Sequence, residues 1–121
     1  MRDFIKASLI TGKNFPASTP VGPWMVTTDE IPDPARLTLT TRLNGQEVQR
    51  SGTDMMIHSV PAIIAYCSAF TPLAPGDVIL TGTPDGVGAK RTPPLWMKAG
   101  DVLEVEITRI GTLRAIVADE K

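Results

Sequence analysis

Thr81 and Thr83 are two hydroxyls set where a strand-favouring run, Asp77-Val78-Ile79-Leu80, gives out into Gly82-Thr83-Pro84-Asp85-Gly86-Val87-Gly88. Glycine removes the Cβ and permits positive φ, so such a loop can bring bare backbone and a hydroxyl against a small ligand. Thr83 can equally turn its hydroxyl onto its own loop backbone. The loop is not a phosphate cradle, which needs Gly-Lys-Ser/Thr in succession; Gly88-Ala89-Lys90 is out of register. Lys13, between Gly12 and Asn14-Phe15, is the candidate for an ammonium held beside a metal or an oxyanion, where it would stabilise developing negative charge. The ordinary alternative is a lysine solvated at the surface.

Glu104-x-Glu106 puts two carboxylates on one face of a strand, about 7 Å apart along it, a spacing at which they could share a divalent cation. The alternation of Leu103, Val105 and Ile107 with Glu104, Glu106 and Thr108 instead explains them as a solvated strand face. His58 is the only histidine, so no pair of histidines can hold a metal within one chain. It precedes a helix cap and reads as structural. Cys67 falls on the apolar face of that helix; a nucleophilic pair with His58 would need it exposed and activated.

The elements that must position these groups are mostly short strands. Brief strands are expected near Ser8–Ile10 and at Trp24–Thr27, with a turn over Glu30–Ala35, where Pro32 and Pro34 rule out a helix interior. Leu37, Leu39, Thr41 and Leu43 alternate with Thr38, Thr40 and Arg42, the pattern of a half-buried strand. Asn44-Gly45 then predicts a two-residue hairpin turn, with Gln46–Arg50 returning as the partner strand. One principal helix is expected near 59–70: Ser59 caps it, Pro61 sits in its first turn, and Val60, Ile63, Ile64 and Cys67 share a face. Met55 and Met56 read as packing beneath it. Asp77–Leu80 and Leu103–Ile107 are expected strands, and Leu113–Ala118 closes a terminal hairpin after Ile110-Gly111.

With 121 residues the chain is long enough for one domain with a core, and too short for two. Aromatics are only 5%, so that core rests on Val, Ile, Leu, Met and Ala, with Trp24 and Trp96 as core or interface aromatics. A formal charge of -1 without a basic cluster argues against nucleic acid as a partner. Nothing approaches eighteen consecutive apolar residues, so no membrane span is read. The single Cys67 excludes an intramolecular disulfide, and the Met1-Arg2-Asp3 start lacks the shape of a signal peptide; both fit the cytoplasm. Eleven prolines and ten glycines indicate a loop-rich, strand-dominated chain.

Read in order, Lys13-Asn14-Phe15, Thr19-Pro20-Val21-Gly22-Pro23-Trp24, Asp29-Glu30-Ile31-Pro32-Asp33-Pro34, Leu43-Asn44-Gly45-Gln46, Gln49, Thr53-Asp54-Met55, the Pro75–Gly88 run and Gly111-Thr112-Leu113 resemble the fumarylacetoacetate hydrolase family. The likeness is closest to its bacterial isomerases, decarboxylases and acylpyruvate hydrolases, the 2-hydroxyhepta-2,4-diene-1,7-dioate isomerases among them. It covers about the second half of that family's catalytic domain, so residues 1–121 are expected to form the C-terminal part. The resemblance implies a mainly β (α+β) fold, a mixed β-sheet roll. It also implies a substrate that is a short 2-oxo or 2-hydroxydienoic acid of aromatic catabolism, and a homodimer.

It further implies that Lys13 lies over a metal-bound substrate as the catalytic cation, that Gly82 and Thr83 bind a substrate carboxylate, and that Arg2 helps organise the substrate. The family's Mg²⁺ or Mn²⁺ is held by a Glu-x-Glu pair and an aspartate that lie upstream of the segment Arg2 begins, so this chain is expected to bind no metal alone and to turn over little. The family's catalytic histidine likewise belongs to that upstream portion. Ile5, Pro16 and Ala17 depart from common family residues, with Ser18 a possible hydroxyl in place of Ala17, and these departures bear on substrate identity. The alternative reading is a catalytically inactive module that keeps only the fold and its self-association surface.

Overall fold

The computed structural model describes residues 17–119. The expected strand at Ser8–Ile10, together with Arg2, Ile5, Lys13 and Pro16, lies outside the described residues. Four strands form one sheet: β1 (Thr38–Leu43), β2 (Gln46–Gly52), β3 (Val102–Ile107) and β4 (Gly111–Ile116), in the order β2-β1-β3-β4. Every pairing in it is antiparallel. With α1 (Val60–Ser68), the one α-helix among the described residues, this is the mainly β, α+β architecture that the sequence implied.

The alternation read from the sequence sorts the sheet into two unlike faces. Leu39, Thr41 and Leu43 of β1 stand opposite Ile107, Val105 and Leu103 of β3, and Val105 in turn faces Leu113 of β4. The other face carries charge: Arg42 Nη1 donates to Glu106 Oε2 at 2.6 Å, and Arg114 Nε lies 3.7 Å from Glu104. The Glu106 hydrogen bond holds the Arg42 guanidinium above its ordinary pKa. These pairs are half-exposed and open to screening by water, so they fix register more than they stabilise.

Asn44-Gly45 makes the β1–β2 turn with both residues at positive φ, 53° and 80°, as a tight hairpin turn requires. Asn44 also ties the hairpin to β3. Its Nδ2 donates to Asp101 Oδ1 at 2.9 Å, and its Oδ1 accepts from the Val102 amide at 2.9 Å. At the other end Thr53 extends the hairpin, its Oγ1 accepting from the Leu37 amide at 3.0 Å while its own amide donates to the Leu37 carbonyl at 2.8 Å. In β2 the register slips between Thr41 and Arg42: Gln49 faces Thr41, Glu47 faces Arg42, and Val48 has no opposite number. That extra residue is a β-bulge.

Several expectations are corrected. Trp24–Thr27 is irregular: Pro23 precedes it, and its indole rather than its backbone makes the long-range bond, donating to the Ile110 carbonyl at 2.7 Å. Asp77–Leu80 is not a ladder strand, because none of the described strands pairs with it; Val78 and Leu80 are exposed. The helix forms as capped, Ser59 Oγ accepting from the Ala62 amide, but only Ile63 and Cys67 of its apolar face are half-buried. Val60, Ile64 and Met55 are exposed, so Met55 does not pack beneath it; both tryptophans are exposed as well, which rules out the core alternative for them and leaves the interface one. Among the described residues the buried ones are Ile31, Leu37, Thr40 and Thr41. No helix among them is long and apolar enough to cross a membrane.

Gly111 sits at φ +125 under the Trp24 ring, where an added Cβ would come within 2.6 Å of Cζ2. Gly111→Ala should therefore lower stability by about 1–3 kcal/mol, read as a reduced urea midpoint. Combining it with Trp24→Ala should cost less than the two single effects together, because the clash is gone. Asp101 is held below the usual carboxylate range, first by the Asn44 side-chain hydrogen bond and then by the Lys98 amide. Because its folded pKa is depressed, its contribution is whole above the unfolded value of about 4 and fades as pH falls through the lower folded value. An NMR pH titration should show the Lys98 and Val102 amides shifting in that acid window, and Asp101→Asn should abolish the dependence.

Candidate functional site

The segment after Leu80 folds back over the apolar sheet face as an extended loop, with a single 3-10 turn at Gly88–Lys90. Between loop and sheet lies a cavity of about 500 Å³. Its floor is Leu39, Leu43, Leu103 and Val105, with Thr41 among them, and its roof runs from Gly82 through Met97. A second cavity of about 530 Å³ lies on the other side of Gly82-Thr83, between that dipeptide and the Ser51–His58 segment. Gly82, Thr83 and Pro84 line both, so this short stretch is a partition between two spaces. The first is nearly all apolar; the second is edged by Ser51, Thr53, His58, Thr81 and Asp85.

Side chains from β2 and the loop itself hold the partition in place. Gln49 Nε2 donates toward Thr83 Oγ1 at 3.1 Å, the Pro84 carbonyl at 3.0 Å and the Asp85 carbonyl at 3.2 Å. Arg91 Nε donates to the Gly86 carbonyl at 3.0 Å, and its Nη2 donates to the Val48 carbonyl on the bulge. Gly86 is where loop meets strand most closely: at φ +95, an added Cβ would lie 2.5 Å from the Val48 carbonyl oxygen. The glycine at this position is therefore required by contact as well as by conformation.

Thr83 and Gly82 thus stand together on a cavity wall, with the Thr83 hydroxyl engaged by a side chain from the sheet and not merely by its own loop. Lys13 and Arg2 lie outside the described residues. Glu104 and Glu106 each face an arginine, on the sheet face away from the cavities. Among the described residues no group of three His, Cys, Asp or Glu side chains is arranged to hold a metal ion. His58 borders the second cavity, a placement that its position ahead of a helix cap did not suggest. Sequence reading did not find Arg91, because its partners are backbone carbonyls reached through a bulge that no residue pattern announces. Gln49 was noted within the family likeness, but its role in the loop was not.

A family described as Fumarylacetoacetate (FAA) hydrolase C-terminal matches residues 1–118. The chain is similar to the mitochondrial oxaloacetate tautomerase fahd2 of Xenopus laevis, 48% identical over 104 residues, which are 86% of this chain and 33% of that protein. It is similar in structure to the 2-hydroxyhepta-2,4-diene-1,7-dioate isomerase of Mycobacterium marinum, with a TM-score of 0.82 at 43% identity over 97% of this chain and 43% of that one. The maleylpyruvate hydrolase of Sphingobium sp. SYK-6, solved with manganese(II) and pyruvate, gives a TM-score of 0.75 at 36% identity over 84% of this chain and 36% of the other. The chain thus spans between a third and a half of the length of these relatives. The matched family, the shared fold and the ordered motifs agree: this chain belongs to the fumarylacetoacetate hydrolase family.

Proposed function

We propose that this chain supplies the lysine-and-threonine side of a pocket for a short 2-oxo or 2-hydroxydienoic acid. The enzyme it serves would isomerise, decarboxylate or hydrolyse such an acid through an enolate, in the breakdown of aromatic compounds. The observation that carries the reading is the position of Thr83, on a wall common to two cavities. A hydroxyl there can donate to a substrate carboxylate, and a bond to an ionised group is worth more than one between neutral groups. Lys13 would place its ammonium against the oxyanion that develops as the enolate forms. Arg2 would help orient the acid, and Gly82 would keep the backbone close to it. The relatives' names support the substrate class: a tautomerase of oxaloacetate, a dienedioate isomerase and a maleylpyruvate hydrolase all act on small oxo or hydroxy acids.

A divalent cation, Mg²⁺ or Mn²⁺, is proposed for the whole enzyme, in keeping with the manganese of the related hydrolase. The described residues do not fit one, since their acidic groups are spent on arginines or scattered. No chemical step is therefore assigned to a metal held by this chain. The second reading is an inactive module retaining fold and self-association, and a homodimer is proposed under either.

Two measurements test this. In an active enzyme carrying this segment, Thr83→Val should lower kcat/KM for a 2-oxo acid by about tenfold to a hundredfold, and Lys13→Ala should reduce kcat at least as much. Undiminished turnover in both variants would reject the pocket. Calorimetry of the 121-residue chain with Mn²⁺ should show no micromolar binding. Tight binding would reject the assignment of the cation to other residues and, with turnover, the inactive-module reading.

A further inference from the structure

We infer that Gln49 is a positioning residue whose amide fixes Thr83 as a hydrogen-bond donor toward the cavities. The polarity of this contact follows from its neighbours. Gln49 meets three oxygens, and two of them, the carbonyls of Pro84 and Asp85, can only accept. The group facing them must be the NH₂; the opposite amide orientation would set Oε1 against both carbonyls. The orientation is therefore decided by backbone, independently of Thr83. The NH₂ has two protons for three oxygens, so one is shared, and because its nitrogen cannot accept, Thr83 Oγ1 takes its share at 3.1 Å as an acceptor. A threonine hydroxyl has one proton, and with a lone pair turned to Gln49 that proton points away from the strand. Thr83 lines both cavities, so the proton is offered to whatever occupies them. An acceptor is what such a donor selects, and a carboxylate is the strongest common one.

Gln49 reaches the loop because of where it sits. It follows Val48, the surplus residue of the bulge, and both side chains line the first cavity. Arg91 closes the same gap from the loop side, on the Gly86 and Val48 carbonyls. The Gln49 inference depends on the proposed function only in naming a carboxylate as the group that receives the proton.

The test is made on the 121-residue chain by NMR, with Gln49→Glu, Gln49→Ala and Gln49→Lys variants and with pyruvate as probe. In the wild type, Gln49 side-chain amide protons protected from exchange and cross-relaxing with Thr83, and threonine χ1 couplings of a single rotamer, are expected. Lysine donates without accepting and should keep that rotamer. Ionised glutamate only accepts and should draw the Thr83 proton to itself, changing the couplings, and alanine should average them. A merely structural need for a glutamine would be lost equally in the lysine and glutamate variants. Pyruvate binding should weaken about tenfold in Gln49→Glu and in Thr83→Val. Unprotected Gln49 amide protons in the wild type, or Thr83 couplings indifferent to all three variants, would overturn the inference. If the couplings follow Gln49 while pyruvate perturbs nothing near Thr83, the positioning role stands and the carboxylate pocket fails.

Discussion

The site depends on one irregularity in β2. A regular antiparallel ladder would have directed each backbone group of that strand toward β1 or straight out to solvent. The extra residue at Val48 breaks the repeat, and its carbonyl meets the guanidinium of Arg91, a residue 43 positions further along the chain. Gln49, next in sequence, makes the matching contact with the start of the same loop. Gly86 permits the approach, since any side chain there would strike the strand. Two polar side chains and one glycine thus do for the loop what a further strand would do by ladder bonds. They attach it to the sheet at defined points while keeping Gly82 and Thr83 on the cavity wall.

The sheet beneath is divided between two kinds of interaction. Its ionic face is stitched by Arg42 with Glu106 and Arg114 with Glu104, which water screens. Its apolar face, with Leu39, Leu43, Leu103 and Val105, meets the loop across a cavity and not across close packing. The helix presents a similar case, with Val60 and Ile64 exposed and Tyr66 and Phe70 in edge-on contact with each other, ring centroids 5.4 Å apart. Apolar area left in water contributes nothing to folding. The cohesion of the described residues therefore comes largely from the β1–β2, β1–β3 and β3–β4 ladders and from side-chain anchors such as Asn44, Trp24 and Thr53.

What the sequence disclosed was whatever depends on short-range pattern. The Asn44-Gly45 turn needs positive φ at two successive residues, and that requirement is written in the residue types. The same holds for the alternation in β1, β3 and β4 and for the Ser59 cap. Patterns that presuppose a neighbour were less dependable. Asp77–Leu80 has the composition of a strand, yet a strand is defined by its partner, and composition says nothing of who that partner is. Trp24 was read as a core or interface aromatic, and the sequence did not announce that its indole N–H acts on a turn 86 residues away. At the site, Thr83 and Gly82 were legible because glycine loops after strand-like runs have a recognisable text. Arg91 was not, since its function depends on a register slip in a segment far from it.

The fastening of the loop has a second effect, on solubility. Among the described strands β2 is an outermost one, and outermost strands invite other chains to add on by main-chain bonding. Here the Val48 carbonyl is already occupied by Arg91, and the bulge spoils the regular repeat that an incoming segment would need. Any change that frees the loop would also uncover this rim. The shape of the cavity and the protection of this edge thus rest on the same contact.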